Sequence, residues 1–270
     1  MYLYLSSTLC WNYPIPDVLQ IAEAFHLDGV EVWIDQIHFH QSTLEEIIEA
    51  KKYTNQSLTI HASSWDLNPC ALNPEVQRSS LKEIEYAMEV GDRLDARNIT
   101  IHPGKMTIEH VDRKHYIKVL RQNLLRLAEK ANQYNVHLSV ELMEEKQKEL
   151  ITTPNDMNDL LEGLPDRIRV TFDVAHVPLD VEPNNYYEKL NRINKIHLSD
   201  TSKEAYHIAL GDGGESKLDR IITELKDSHL PIVLEGFDQS PSFPLLKKHL
   251  QYVEQKAVLG REALENFSYK

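Results

Sequence analysis

Six short β-like runs in this sequence end in a side chain that can bind a metal ion. They are His61 in LTIHAS, His102 in ITIHPG, Glu141 in LSVEL, Asp173 in VTFDVAH, His197 in KIHLSD and Glu235 in IVLEG. Their successive separations of 41, 39, 32, 24 and 38 residues each span about one strand-plus-helix repeat. A mixed imidazole and carboxylate set suits a divalent ion such as Zn²⁺ or Mn²⁺, with Co²⁺, Fe²⁺ or Mg²⁺ as further candidates; an all-oxygen set would point to Mg²⁺ or Ca²⁺. Acids buried together without a cation are driven to take up protons, at a cost in stability. Each position also has a plain structural reading: a hydrogen-bonded core histidine, a helix cap at Asp173, an ion-pair partner at Glu235. Six such positions at repeat spacing have a simpler common cause, a shared metal site.

For these side chains to meet, the elements carrying them must converge. Strands are predicted over Tyr2–Ser6, Gly29–Trp33, Leu58–His61, Asn98–His102, His137–Glu141, Arg167–Asp173, Lys195–Leu198 and Ile232–Glu235. Helical periodicity covers Asp17–Phe25, Glu75–Leu94, Glu109–Gln133, Asn155–Leu161, Tyr186–Leu190, Leu218–Leu225 and Leu245–Val253. Helix starts are signalled by Pro16-Asp17, by a capping-box pattern over Ser42–Glu45, and by Thr153-Pro154-Asn155-Asp156. The alternation predicts a parallel sheet covered by helices. An open sheet would string the six ligands along an edge, whereas a (β/α)8 TIM barrel gathers them at the C-terminal ends of its strands. The expectation is therefore one barrel domain over residues 1–270, with a polar, helix-prone tail at 257–270 able to pack on the barrel or on a neighbouring subunit.

Composition narrows the function classes. With 270 residues, 41% hydrophobic and 26% charged, the chain can bury a large core. No run of eighteen apolar residues suggests a membrane span, and the N-terminus lacks the basic start and apolar stretch of a signal peptide. Only Cys10 and Cys70 occur, which indicates no disulfide framework and makes the cytoplasm the expected compartment. A net charge of −13 argues against nucleic acid as a partner, because phosphate backbones need several well-placed cations.

At these residues the chain resembles the xylose isomerase-like barrel superfamily, which contains sugar isomerases and epimerases and also endonuclease IV. The likeness runs from DGVEVW (Asp28–Trp33) to IVLEGF (Ile232–Phe237), and its most specific pieces are IHPG (Ile101–Gly104), FDVAH (Phe172–His176), IHLSD (Ile196–Asp200) and HIALGDG (His207–Gly213). The resemblance implies that Glu141, Asp173, His197 and Glu235 form the four-ligand metal site of ketose epimerases. There the metal binds the carbonyl and a neighbouring hydroxyl of a small sugar and stabilises the enediolate. Glu141 and Glu235 would act as acid and base on opposite faces of one carbon, and His176 would hydrogen-bond a substrate oxygen. It further implies that His61 and His102, with Glu141 bridging, match the second metal site of the endonuclease IV branch. His176 and His207 match that branch's third. Ala205 stands where that branch carries an aspartate, and in the stretch where many ketose epimerases carry an arginine only Lys203 could substitute. A homo-oligomer is a further implication.

Secondary candidates follow the predicted strands. Trp33 and Trp65 could form the apolar wall on which a sugar ring rests, or simple rim packing. Lys105 could meet a substrate phosphate or carboxylate, or be an idle exposed lysine; by the resemblance, Lys203 could contact substrate hydroxyls. His38 and His40 make an HxH pair that an extended segment would point to one side; without a third nearby partner they read as surface residues. Glu144, Glu145 and Lys146 read as a solvated charged stretch that, near the fifth strand, could also reach substrate, and the GDGG glycines read as a turn. The leading expectation is a metal-dependent isomerase or epimerase of a small sugar. The rivals are a metal-dependent hydrolase or lyase, including an endonuclease IV-like phosphodiesterase, and a non-catalytic binding protein on the same barrel.

Overall fold

Eight parallel strands close into one ring in chain order, with the last pairing back onto the first. The computed structural model describes residues 1–213 and 217–267, and side chains as far as 256. The strands are β1 (Tyr2–Ser6), β2 (Gly29–Trp33), β3 (Ser57–His61), β4 (Asn98–Ile101), β5 (His137–Glu141), β6 (Ile168–Asp173), β7 (Ile193–Leu198) and β8 (Pro231–Leu234). Around them lie α1 (Ile15–Ala24), α2 (Ile34–His40), α3 (Leu44–Lys51), α4 (Pro74–Leu94), α5 (Arg113–Gln133), α6 (Pro154–Leu161), α7 (Pro183–Tyr187), α8 (Lys217–Leu225) and α9 (Pro244–Phe267). The barrel, and not the open sheet, is the architecture.

Several boundaries differ from the sequence reading for local reasons. The β2–β3 connection holds two helices, α2 and α3. The capping box at the start of α3 is one residue further on than Ser42–Glu45: Thr43 Oγ1 accepts the Glu46 N–H at 3.2 Å, and Glu46 Oε2 accepts the Thr43 N–H at 2.8 Å. Helix α5 begins at Arg113, not Glu109, because the Asp112 carboxylate caps it through the Lys114 N–H. Pro183 at the first turn sets α7 upstream of residues 186–190. Helix α9 continues through most of the supposed tail; how side chains beyond 256 pack lies outside the described residues, as do 268–270 entirely.

Strand alternation divides the barrel into two chemically distinct zones. Leu5, Val30, Val32, Ile60, Ile99, Ile101, Leu138, Val140, Val170, Phe172, Ile196, Leu198, Ile232 and Leu234 all belong to the hydrophobic core shared with the helices. The alternate residues point inward, and they are largely polar. Lys195 on β7 bonds Glu31 on β2 across the lumen, and the Thr100 and Thr171 hydroxyls on β4 and β6 lie 2.9 Å apart. Barrels of this type commonly fill the interior with layers of branched aliphatic residues. Here a hydroxyl and charged layer of Glu31, Thr59, Thr100, Ser139, Thr171 and Lys195, all buried, forms the floor beneath the strand ends.

Candidate metal centre

One register step above that floor lie the side chains the sequence singled out. Asp173 pairs with His197 in the β6–β7 ladder, while His102 and Glu235 are the first residues beyond β4 and β8. Glu141, Asp173, His197 and Glu235 each offer a donor atom, and these four atoms lie within 4.8 Å of one another. His197 Nδ1 is 2.9 Å from Glu235 Oε2, 3.7 Å from Glu141 Oε1 and 3.9 Å from Asp173 Oδ2. Asp173 Oδ2, His197 Nδ1 and Glu235 Oε2 are buried with no hydrogen-bond partner among the described residues. Buried polar atoms left unpartnered are costly. Three of them, of ligand type and aimed at one point, fit a divalent ion with bonds of about 2.0–2.2 Å.

Two further groups adjoin this one. His61, His102 and Glu141 form the first. His61 Nδ1 donates to the Ala62 carbonyl at 2.9 Å, which leaves Nε2 facing Glu141 Oε2 at 3.4 Å. His102 Nε2 approaches the same oxygen at 3.3 Å. Asp173, His176 and His207 form the second. His176 Nδ1 donates to the Leu142 carbonyl at 2.8 Å, so its Nε2 looks toward Asp173 Oδ2 at 3.5 Å and His207 Nε2 at 3.3 Å. His207 sits in the left-handed region with φ 56°, a conformation that costs a bulky residue on the order of 1 kcal/mol. The Asp200–Ile208 bridge and a 3.1 Å contact with the Ser199 hydroxyl hold it there. Asp200 also accepts the N–H groups of Gly211 and Gly213, and Gly211 has φ +88°. Those two glycines thus serve a turn; Gly214 lies outside the described residues.

The charges in this volume are in conflict without a cation. Burial pushes the Glu235 carboxyl up, but the His197 and His207 rings outweigh it and hold it down at about 2. Burial likewise opposes ionisation of Glu141, yet His102 and His197 keep it well below the usual carboxylate range. Asp173 goes the other way, pushed well above its ordinary value by burial and then by Glu235. Three acids so close cannot all ionise on histidine charge alone.

The centre opens into a cavity of about 380 Å³ lined by Trp33, Trp65, His102, Glu141, His176, His207, Glu235 and also by Thr8, Met143, Glu144, Tyr206 and Phe237. Trp33 is buried and lies flat on His61, while Trp65 and Phe237 are half exposed at the rim and pack around Trp11. Neither lysine lines this cavity. Lys105 is exposed on a segment bridged to Glu149. Lys203 lies on a tight turn closed by the Ser202 N–H to Ala205 carbonyl bond, and it borders a separate cavity between the β6 and β7 loops. His38 and His40 are on α2, not an extended strand, and reach Glu83 and the Trp11 carbonyl respectively. The sequence does not single out Glu31, Lys195, Tyr206 or Phe237, and of the charged stretch after β5 Glu144 has a mostly buried side chain that lines the cavity. The period-2 rule, counted back from His197 and Trp33, would have placed Lys195 and Glu31 inside the ring.

Comparison with known proteins agrees with this architecture. The model of the family described as xylose isomerase-like TIM barrel matches residues 19–259. The chain belongs to that family. Among relatives of this xylose isomerase-like barrel, the uncharacterized protein MJ1311 of Methanocaldococcus jannaschii is 24% identical over 261 residues, covering 91% of this chain and 87% of the relative. A probable endonuclease 4 of Thermoplasma volcanium is 22% identical over 234 residues, covering 80% of this chain and 79% of its own length. Among solved structures, a D-tagatose 3-epimerase-like protein superimposes with a TM-score of 0.84 at 19% identity, over 98% of this chain and all of the other. Among the described residues of this xylose isomerase-like barrel, no helix is long and apolar enough to cross a membrane.

Proposed function

We propose that this protein is a divalent-metal-dependent isomerase or epimerase of a small sugar or sugar-like substrate. The observation that carries the reading is the convergence of Asp173, His197 and Glu235 donors, unpartnered among the described residues, with Glu141 beside them, where Glu141 and Glu235 line an aromatic-walled cavity. The likeness to a D-tagatose 3-epimerase-like structure supports the same class. Glu141, Asp173, His197 and Glu235 would hold the ion, with Zn²⁺ or Mn²⁺ the best match to the donor set. When bound, the ion supplies Lewis-acid polarisation of a carbonyl, which acidifies the adjacent C–H.

The chain's own residues do the rest. Glu141 on β5 and Glu235 beyond β8 stand three strands apart round the ring, so their carboxylates approach a substrate carbon from different sides. One removes the carbon-bound proton and the other returns a proton to the opposite face, which inverts that carbon. His176, with Nδ1–H fixed on the Leu142 carbonyl, presents Nε2 to a substrate oxygen, donating from it in the protonated ring. Trp33, Trp65 and Phe237 offer apolar faces to a sugar ring and exclude water.

The test is exchange of the substrate α-hydrogen with deuterated solvent by metal-loaded protein across a ketose panel. Exchange that disappears in both Glu141→Gln and Glu235→Gln supports the reading; no exchange with any ketose overturns it. A second reading, a phosphodiesterase of the endonuclease IV kind, is favoured by the two adjoining ligand groups at His61–His102 and His176–His207. Cleavage of an abasic duplex by the same preparation would decide for it.

A further inference from the structure

The charged pair beneath the metal centre has no part in the reaction above, and its burial calls for a reason. Glu31 on β2 and Lys195 on β7 are both fully buried, bonded to one another across the lumen through Glu31 Oε1. The Thr59 and Thr100 hydroxyls also face Oε1, each at 3.4 Å. A buried ion pair rarely stabilises a fold more than well-packed apolar residues would, so stability alone does not account for it. The other oxygen explains more. Glu31 Oε2 lies 2.8 Å from His197 Nε2, on the opposite edge of the imidazole from the nitrogen that faces Glu235. The contact is close but off the N–H line, so that neither Glu31 Oε2 nor His197 Nε2 has a hydrogen-bond partner among the described residues.

We infer that Glu31 is a positioning residue for the metal centre: tethered by Lys195 through one carboxylate oxygen, it uses the other to keep the proton of His197 on Nε2, so that Nδ1 faces the ion as a bare ligand. The inference rests on His197 being a metal ligand, as proposed above. Carboxylate–histidine–metal relays of this form raise the basicity of the ligand and fix its ring. Lys195 contributes by holding Oε1 down in the floor. Without it the carboxylate could swing upward and compete for the ion.

The test measures metal affinity, with Co²⁺ absorption and Zn²⁺ competition against a chelator, in the wild type and the Glu31→Leu/Lys195→Met pair. The double variant removes both charges, so a pair serving charge balance alone would be silent in it. Positioning predicts that the double variant folds yet binds Co²⁺ about 10–100-fold more weakly, with an altered visible spectrum. Wild-type affinity and spectrum in the double variant would overturn the inference. A measurement on the wild type alone guards against variants that fail to fold: ¹⁵N shifts of His197 in the Zn²⁺-loaded protein should show a protonated Nε2 and a ligated Nδ1, and the reverse assignment overturns it. A wild type that binds neither ion would instead remove the four-ligand reading on which the inference stands.

Discussion

Trp33 lies flat against His61, ring centroids 3.7 Å apart and planes within 5°. The two residues are paired directly in the β2–β3 ladder, so strand register alone brings them together. The indole sets the ring plane of His61, and the Ala62 carbonyl sets its tautomer. Trp33→Ala is expected to lose about 3 kcal/mol of stability, the cost of emptying a buried aromatic site. It should also weaken any second ion held at His61 and His102 while sparing the four-ligand site. Trp33→Phe should keep most of both. Urea melts combined with metal stoichiometry separate these effects, and unchanged stoichiometry with Trp33→Ala would contradict the stacking role.

Removing metal should expose the conflict among Glu141, Asp173 and Glu235. Free Zn²⁺ at about 100 times its dissociation constant should add about 2.7 kcal/mol to the unfolding free energy of the wild type, and a chelator should abolish that gain. Asp173→Ala should show no such gain and should be isolated nearly free of metal. Elemental analysis with paired denaturation curves checks both outcomes.

Acid should destabilise the protein partly through His249 on α9. This histidine is fully buried, and its Nδ1 accepts the Leu210 N–H at 3.3 Å. Burial, against a smaller opposing contribution from the Glu235 main chain, lowers its pKa to about 4. The unfolded ring takes up a proton below its ordinary value of about 6.5 while the folded ring does not. The stabilising contribution is therefore complete above about pH 6.5 and is lost as pH falls toward about 4. Between pH 7 and pH 5 the loss amounts to about 2 kcal/mol. His249→Asn, which can still accept the Leu210 N–H, should flatten the pH dependence by that amount, as read from the difference between the two proteins' melts.

Where the sequence was legible, it was so because the repeat is regular. Each βα unit returns its strand end to the same rim, so ligand-type residues 24–41 positions apart stand out without knowledge of any contact. Local ambiguity defeated the capping box: Glu45 and Glu46 are consecutive, so Ser42–Glu45 and Thr43–Glu46 both satisfy the pattern, and only the backbone path into α3 chooses between them. The Asp200–Ile208 bridge folds residues 201–207, Lys203 among them, back on themselves, and it leaves little mark in composition. Glu31 and Lys195 are 164 residues apart. Their alternation could place each inside the ring, but pairing them needed the ring's closure.

The same alternation gives each strand a division of labour. Outward residues are nearly all aliphatic and bind the sheet to its helices, while inward ones carry hydroxyls, charges and the candidate ligands. Folding instructions and reaction instructions are thus written on neighbouring residues facing opposite ways. Substitution at an inward position therefore alters the lumen while leaving the aliphatic contacts of its neighbours with the helices in place.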